Sequence, residues 1–134
     1  MRIGDLAARA GLTTKTLRFY EDRGLLPAPL RTPGGYRGYP EHAVTRLAFV
    51  RDAQRAGLTL AEIRSVLALR DDGHLPCAHV TGLIHEHLDD IARRMSELAA
   101  TRDVLRTLAD RAAVTDPAAC EAEGICTILT PVRP

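Results

Sequence analysis

The feature that most restricts the fold of this chain is the proline-free segment from Ala78 to Ala112. At 1.5 Å per residue, this segment can form one helix about 50 Å long. Its apolar residues recur at alternating steps of four and three, as in a coiled coil, and Arg102 interrupts the pattern once. This apolar seam consists of Ile84, Leu88, Ile91, Met95, Leu98, Leu105 and Ala109. Because a small domain could cover only the first turns of such a helix, we expect a second copy to bury the seam in a homodimer.

The remainder of the 134-residue chain leaves room for one small head. No segment approaches the roughly 18 apolar residues of a membrane span, and MRIGDLAARAG lacks the apolar core of a signal peptide. We therefore expect a cytoplasmic protein that does not enter a membrane. Three cysteines without an export signal argue against a disulfide framework, which leaves metal binding, redox chemistry or burial as their roles.

The charges are divided unevenly along the chain. Residues 1–70 contain twelve Lys and Arg against six Asp and Glu, whereas residues 71–134 contain six against eleven. A basic front half indicates a polyanionic partner, and the acidic back half should be held away from that partner. An uneven but solvated surface is the alternative that charge alone leaves open.

The segment IGDLAARAGLTTKTLRFYEDRGLL has the apolar spacing of two short helices joined by a tight turn. Gly11 can end the first helix, Thr13 can cap the second, and Gly24 can end it. In a helix-turn-helix, the second helix would point three polar side chains into a DNA major groove. These are Thr14, Lys15 and Arg18. An ordinary helical hairpin fits this stretch equally well when it is considered alone.

A hairpin is predicted directly afterwards in LRTPGGYRGYPEH, with its turn at Pro33-Gly34-Gly35. Such a hairpin next to a helix-turn-helix forms a wing. Its arginines would supply charge to DNA phosphates, and its tyrosines would donate hydroxyl hydrogen bonds to them. The wing residues are Arg31, Tyr36, Arg37 and Tyr39.

A second helix pair is predicted after the wing. Pro40 suits the first turn of a helix over residues 41–56, and Gly57 would end that helix. Thr59 and Glu62 have the spacing of a capping box at the start of the next helix. The predicted domains are a DNA-binding domain over 1–70, a linker over 71–76, a dimerisation helix over 77–112 and a C-terminal segment over 113–134.

Three motifs in this region, LRFYEDRGLL, GGYRGY and GLTLAEI, occur together in a specific order and spacing. With them, residues 12–73 resemble the MerR family of transcriptional regulators over essentially the whole DNA-binding domain. The resemblance implies a mainly α fold: a winged helix-turn-helix head, a second helix pair, a long antiparallel coiled-coil dimerisation helix and a short C-terminal metal-binding loop. It also implies DNA contacts from the recognition helix and the wing. Those residues are Lys15, Arg18, Tyr20, Tyr36, Arg37 and Tyr39.

Cys120 and Cys126 lie in DPAACEAEGICTIL, after the long helix. Gly124 allows the backbone between them to turn tightly enough for both sulfurs to face one point. Residues 113–134 are too few to enclose a drug-sized molecule, but they can wrap an ion. Two small apolar fillers, or an incidental thiol pair, are the alternative for these residues.

The resemblance also bears on the cysteines. Metal-sensing members of the family bind their ion through two thiolates in this loop, and sensors of divalent ions add a cysteine at the helix start of the other subunit. Cys77 is at that position, so the implied ligands are Cys77, Cys120 and Cys126. Sensors of monovalent copper have another residue there. In the best-known metal sensors the first loop cysteine is closer to the helix and the pair is more widely separated, which weakens the assignment of one ion.

Thiolates select soft or borderline ions, which leaves Hg(II), Pb(II), Cd(II) and Zn(II) as effectors. Zinc would need a fourth ligand from His79, His74, a carboxylate or water. An iron-sulfur cluster normally needs four cysteines, and this chain has three.

The resemblance implies an allosteric activator that works with RNA polymerase by distorting promoter DNA. We see no nucleophile and base at a recognisable spacing and no phosphate-binding glycine loop, so we do not expect an enzyme. Two alternatives stay open. One is a redox-responsive regulator that switches through a Cys120–Cys126 disulfide without metal. The other is an architectural DNA binder with a structural zinc.

Overall fold

The computed structural model describes residues 1–31, 34, 37–119 and 124–130. Within these residues the fold is mainly helical, as predicted. Its elements are α1 (Ile3–Ala10), α2 (Thr14–Asp22), β1 (Leu30–Arg31), β2 (Arg37–Gly38), α3 (His42–Arg55), α4 (Leu60–Asp71), α5 (Cys77–Ala113) and the 3-10 turn Pro117–Ala119. The chain divides into two compact units, Met1–His87 and Leu88–Pro134.

The turn between α1 and α2 has the geometry that its sequence predicts. Gly11 ends α1 with a left-handed φ of 68°, and the Thr13 hydroxyl caps α2 by accepting from the Thr16 backbone N–H at 3.1 Å. Arg51 of α3 donates to the carbonyl of Ala10 at 2.8 Å and so satisfies one of the last carbonyls of α1. The helix-turn-helix is therefore braced by α3.

One apolar core joins the first four helices. Its fully buried members come from α1, α2, the segment after α2, α3 and α4, and include Leu6, Leu17, Leu25, Leu47 and Ile63. Replacing a buried leucine by alanine typically costs about 2–5 kcal/mol because it leaves a cavity. Since Leu17 belongs to α2, the same core fixes the orientation of the helix that would enter DNA.

The hairpin is attached to the N-terminus of the chain. β1 and β2 pair antiparallel, with Arg31 opposite Arg37. The amino group of Met1 donates to the carbonyl of Tyr39 at 2.8 Å, and the Tyr39 N–H donates to the carbonyl of Met1 at 2.7 Å. These two bonds hold the base of the hairpin on the helical head.

The second helix pair lies close to its predicted bounds. Gly57 follows α3 with a left-handed φ of 92°. The predicted capping box is present: the Glu62 N–H donates to the Thr59 hydroxyl at 3.2 Å, and the Thr59 N–H donates to the Glu62 carboxylate at 2.8 Å. Two backbone donors at the start of α4 are thereby satisfied.

Arg46 ties α3 to two other segments. Its Nε donates to the carbonyl of Leu25 at 2.7 Å, and its terminal nitrogens donate to the Asp71 carboxylate at 2.8 and 3.1 Å. Only 12% of the Arg46 side chain is exposed and Leu25 is buried, so water cannot readily replace the bond between them, whereas the Asp71 side chain is 52% exposed.

Arg46→Gln is expected to lower the free energy of unfolding by about 1–3 kcal/mol, because it leaves a buried carbonyl and a carboxylate without their donor. Urea unfolding followed by circular dichroism measures the loss. Arg55→Gln is the matched control, since that side chain is 72% exposed and lies 4.0 Å from Asp52. The control should change the free energy by less than about 0.5 kcal/mol. Equal losses in the two variants would contradict this account of Arg46.

Acid should destabilise the protein through two carboxylates. A hydrogen bond from the Thr59 backbone lowers the pKa of Glu62 below 4.5, and a hydrogen bond from Arg46 lowers the pKa of Asp71 below 3.8. Because both are lower in the folded state, their contribution is complete above the unfolded pKa and is lost as pH falls through the folded pKa. We expect the urea concentration at the unfolding midpoint to decrease as the pH is lowered below about 4.5. This decrease with pH should be smaller in Asp71→Asn than in the control Asp110→Asn.

Helix α5 begins one residue before the proline-free segment Ala78–Ala112 and ends one residue after it. Within this chain the predicted seam is exposed: Ile84 is 46% accessible and Leu98 is 68% accessible. Within a single chain, none of the described residues buries this apolar stripe. Among those residues, no helix has the length and apolarity needed to cross a membrane.

Candidate DNA-binding surface and metal-responsive cysteines

Helix α2 presents two cations to solvent. Lys15 and Arg18 are exposed, and neither forms a hydrogen bond or ion pair with any residue in the described part of the chain. Thr14 begins the helix and is half-buried. Because Leu17 anchors the opposite face in the core, this surface is both rigid and cationic. It has the chemistry needed to bind a DNA backbone or base edges.

Two of the predicted DNA-contacting tyrosines have buried rings. Tyr20 is 5% exposed, and its hydroxyl donates to Gln54 Oε1 at 2.9 Å. Tyr39 is 4% exposed, and its hydroxyl donates to Glu21. Both rings therefore serve the core of the head. A DNA contact through either hydroxyl stays a prediction.

Phe19 and Arg23 extend the exposed surface of α2, and the sequence analysis did not select them. Phe19 is 42% exposed, and the Arg23 guanidinium lies 4.8 Å from the centre of its ring. This cation–π contact holds a third positive charge against the Phe19 ring, at the C-terminal end of α2. The spacing of four residues, which places two side chains on one helical face, is the signal that could have identified the pair.

The wing is described in part. Arg31 and Arg37 lie opposite each other in the paired strands, which agrees with a two-armed wing. Tyr36 lies outside the described residues. DNA contacts from Arg31, Tyr36 and Arg37 remain predictions.

Two of the three cysteines lie in described parts of the chain, and both are free thiols. Cys77 is exposed and is the first residue of α5, whereas Cys126 is half-buried after the end of that helix. Cys120 lies outside the described residues. Among the residues that are described, no group of three or more His, Cys, Asp or Glu side chains is placed to hold an ion within one chain.

The position of Cys126 is fixed by contacts with the last turns of α5. Arg111 donates to the carbonyl of Ile128 at 2.5 Å, and the Thr130 N–H donates to the carbonyl of Cys126 at 3.0 Å. The Thr115 hydroxyl donates to the carbonyl of Arg111 at 2.6 Å. The Arg111 bond holds the turn that carries Cys126 against the end of α5, the Thr130 bond lies within that turn, and the Thr115 bond lies within the helix end. The thiol therefore has a defined place there.

The donor chemistry of these cysteines fits a soft ion. An exposed thiol and a half-buried thiol in an ordered turn can both lose a proton and bind metal, and thiolate sulfur favours mercury, lead, cadmium or zinc over magnesium or calcium. His79, a suggested fourth ligand, has its Nε2 at 2.8 Å from the Ser65 hydroxyl, while His74 is exposed.

Two models of one protein family match this chain. A model described as MerR HTH family regulatory protein matches residues 1–69, and one described as MerR, DNA binding matches residues 44–108. The chain belongs to the MerR family of transcriptional regulators. The resemblance that its motifs indicated is thus confirmed.

Several curated relatives are similar over most of their length. The HTH-type transcriptional regulator CueR of Salmonella typhimurium is 38% identical over 120 residues, which are 90% of this chain and 87% of CueR. The HTH-type transcriptional regulator ZntR of Escherichia coli K12 is 37% identical over 81% of this chain and 78% of ZntR. The mercuric resistance operon regulatory protein of Serratia marcescens is 41% identical over 81% of this chain and 74% of that protein.

The solved structures agree with these relatives. The transcription regulator PbrR691 from Ralstonia metallidurans CH34, in complex with lead(II), superposes with a TM-score of 0.74 at 38% identity and covers 90% of this chain and 94% of its own. HiNmlR, a MerR family regulator bound to promoter DNA, has a TM-score of 0.54 at 22% identity and supports the fold alone. One of these similar structures thus contains lead(II), and one of these relatives is named for a mercuric resistance operon.

Proposed function

We propose that this chain activates transcription in the cytoplasm in response to a divalent heavy-metal ion, Hg(II), Pb(II), Cd(II) or Zn(II). The ion would be bound by Cys77 of one subunit and by Cys120 and Cys126 of the other. One observation carries the proposal: Cys77 is exposed at the first residue of α5, and Cys126 is held at the end of the same helix by the Arg111 contact.

A homodimer would bring these thiols together. The exposed seam of α5 supports pairing with a second copy, because about 38 Å of apolar stripe is unfavourable in water. In an antiparallel pair, the start of one helix lies beside the end of the other. The three cysteines, which are far apart in the sequence, would then meet across the two subunits.

The choice of ion class is supported by ligand chemistry and by the relatives. Three sulfur ligands suit mercury or lead, whereas zinc would need a fourth ligand. One similar structure contains lead(II), and several relatives are mercuric resistance operon regulatory proteins. Affinity for the ion should rise with pH, since the thiols must lose protons to bind it.

Promoter DNA and RNA polymerase would complete the mechanism. Thr14, Lys15 and Arg18 on each head, together with the wing, would hold the two halves of a two-fold related operator. Cys77 of one subunit and the loop thiols of its partner would hold the ion, and this binding would favour the head arrangement that brings Cys77 to the partner loop. The heads would then bend and untwist the promoter into a register that polymerase can use, at a cost of order 1–10 kcal/mol in DNA deformation.

In vitro transcription from the protein's own promoter tests this proposal directly. The purified dimer, RNA polymerase and template would be titrated with mercury, lead, cadmium, zinc and copper(I), with a thiol oxidant in a parallel series. We expect activation by at least one divalent ion under reducing conditions. Activation by the oxidant alone would favour the disulfide alternative. Unfolding of the dimer by a chelator would favour a structural zinc.

A further inference from the structure

The first three turns of α5 belong to the head. The head unit spans Met1–His87, so it includes the helix from Cys77 to His87. Leu83, in the middle of this stretch, is 8% exposed and is the one residue of α5 that the structure describes as buried. A single helix thus begins as part of the DNA-binding head and continues into the second unit.

Two side-chain contacts fasten this stretch to α4. The Glu62 carboxylate lies 2.8 Å from His87 Nε2, and the Ser65 hydroxyl lies 2.8 Å from His79 Nε2. Glu62 and Ser65 are three residues apart, and His79, Leu83 and His87 recur every four, so each set lies on one face of its helix. The Ser65 hydroxyl also donates to the carbonyl of Glu62 at 2.6 Å, which leaves its oxygen to accept from His79.

The Glu62 carboxylate also takes part in the capping box of α4. The carboxylate oxygen that contacts His87 also accepts the backbone N–H of Thr59, at 2.8 Å, in the capping box of α4. Both contacts lower the pKa of Glu62, the bond from Thr59 more than the bond from His87. Its side chain is 22% exposed and that of His87 is 29% exposed, so both are partly shielded from water. One carboxylate therefore joins the start of α4 to the third turn of α5.

From α4 the connection continues into the core of the head. Ile63 and Leu67 of α4 pack in the same apolar cluster as Leu17 of α2. Cys77 precedes His87 by ten residues, about 15 Å along the helix. The stretch of α5 that begins at Cys77 is thus joined by two side-chain contacts to α4, and α4 shares its core with the DNA-facing helix.

We propose that the contact between Glu62 and His87 is a clamp that makes α4 and the first three turns of α5 move as one piece, so that a change at Cys77 reaches the DNA-binding surface. The consequence for transcription rests on the proposed metal response, whereas the clamp itself does not. Glu62 and His87 are positioning residues in this proposal, because they act through each other and are assigned no contact with the ion or the DNA.

His87→Ala in the full-length protein tests the clamp. Without metal, we expect hydrogen exchange in residues 77–87 to become at least about fivefold faster, because the start of α5 loses one of its two side-chain contacts with α4. His85→Ala is the matched control, since His85 is exposed on the same helix without a partner among the described residues. Unchanged exchange in His87→Ala would overturn the clamp, whatever the response of the protein to metal.

Transcription tests the consequence. His87→Ala should bind operator DNA and ion within about twofold of the wild type, yet lose at least about fivefold of the ion-induced activation, which is the lower end of a typical coupling free energy. His87→Gln should recover activation, because its amide can donate to Glu62. Full activation in His87→Ala would overturn the coupling role. A third outcome separates the two proposals. If hydrogen exchange is faster in His87→Ala but transcription by the wild type responds to none of the ions, the proposed function is refuted and the clamp is supported.

Discussion

Cys77→Ser is expected to reduce ion-induced transcription at least about tenfold, within the range of allosteric couplings of 1–3 kcal/mol. A hydroxyl has the size of the thiol but does not provide a soft anionic ligand. The fold should tolerate the change, because the Thr81 hydroxyl donates to the backbone carbonyl of Cys77, at 2.8 Å, and not to its side chain. The measurement is the transcription titration with mercury, lead, cadmium and zinc, accompanied by thermal unfolding of each variant.

Ala78→Ser is the matched control for this prediction. It introduces the same side chain at the next residue, which is also exposed on the first turn of α5, and it should leave activation unchanged. Cys126→Ser should reproduce the loss seen for Cys77→Ser. If Cys77→Ser keeps the full divalent response, the shared site between subunits is wrong.

The same variants separate the metal proposal from a redox switch. A disulfide between Cys120 and Cys126 does not use Cys77, so Cys77→Ser would leave an oxidant response intact. A metal site built from all three thiols would fail in each of the three single variants. The pattern of loss across the cysteines is therefore more informative than the loss in any one of them.

The parts of the fold that the sequence predicted well are those decided by neighbours along the chain. Gly11 ends a helix because of its own backbone freedom, and Thr59 and Glu62 form a capping box within four residues. The length of α5 follows in the same way from an unbroken helical segment. The winged helix-turn-helix could be predicted because such local signals occurred together in one order.

The contacts that the sequence did not predict join residues far apart in the chain. Arg46 with Leu25, Glu62 with His87 and Arg111 with Ile128 depend on how finished helices pack. Tyr20 shows the same limit: the family resemblance implied a DNA contact for this residue, whereas its ring is 5% exposed and belongs to the core. The burial of its ring becomes evident only once α3 supplies Gln54.

Arg18→Ala is expected to weaken operator binding by about 5- to 150-fold, the effect of losing one good contact to a base or a phosphate, about 1–3 kcal/mol. Arg18 is exposed, is free of partners in the described part of the chain, and lies on a helix whose other face is fixed by Leu17. Its loss should therefore affect DNA binding without affecting stability. Fluorescence anisotropy with a labelled promoter fragment measures the affinity, and urea unfolding checks the fold.

Salt dependence then identifies what Arg18 contacts. If it binds a phosphate, the slope of log affinity against log salt should fall by about one in Arg18→Ala, with equal losses on operator and random DNA. If it contacts a base, the slope should stay unchanged in Arg18→Ala, and the preference for operator over random DNA should decrease. Arg106→Ala, an exposed arginine of α5 in the acidic half of the chain, is the matched control and should change neither. A loss of the same size in Arg106→Ala would show that overall charge, and not the face of α2, determines the affinity for DNA.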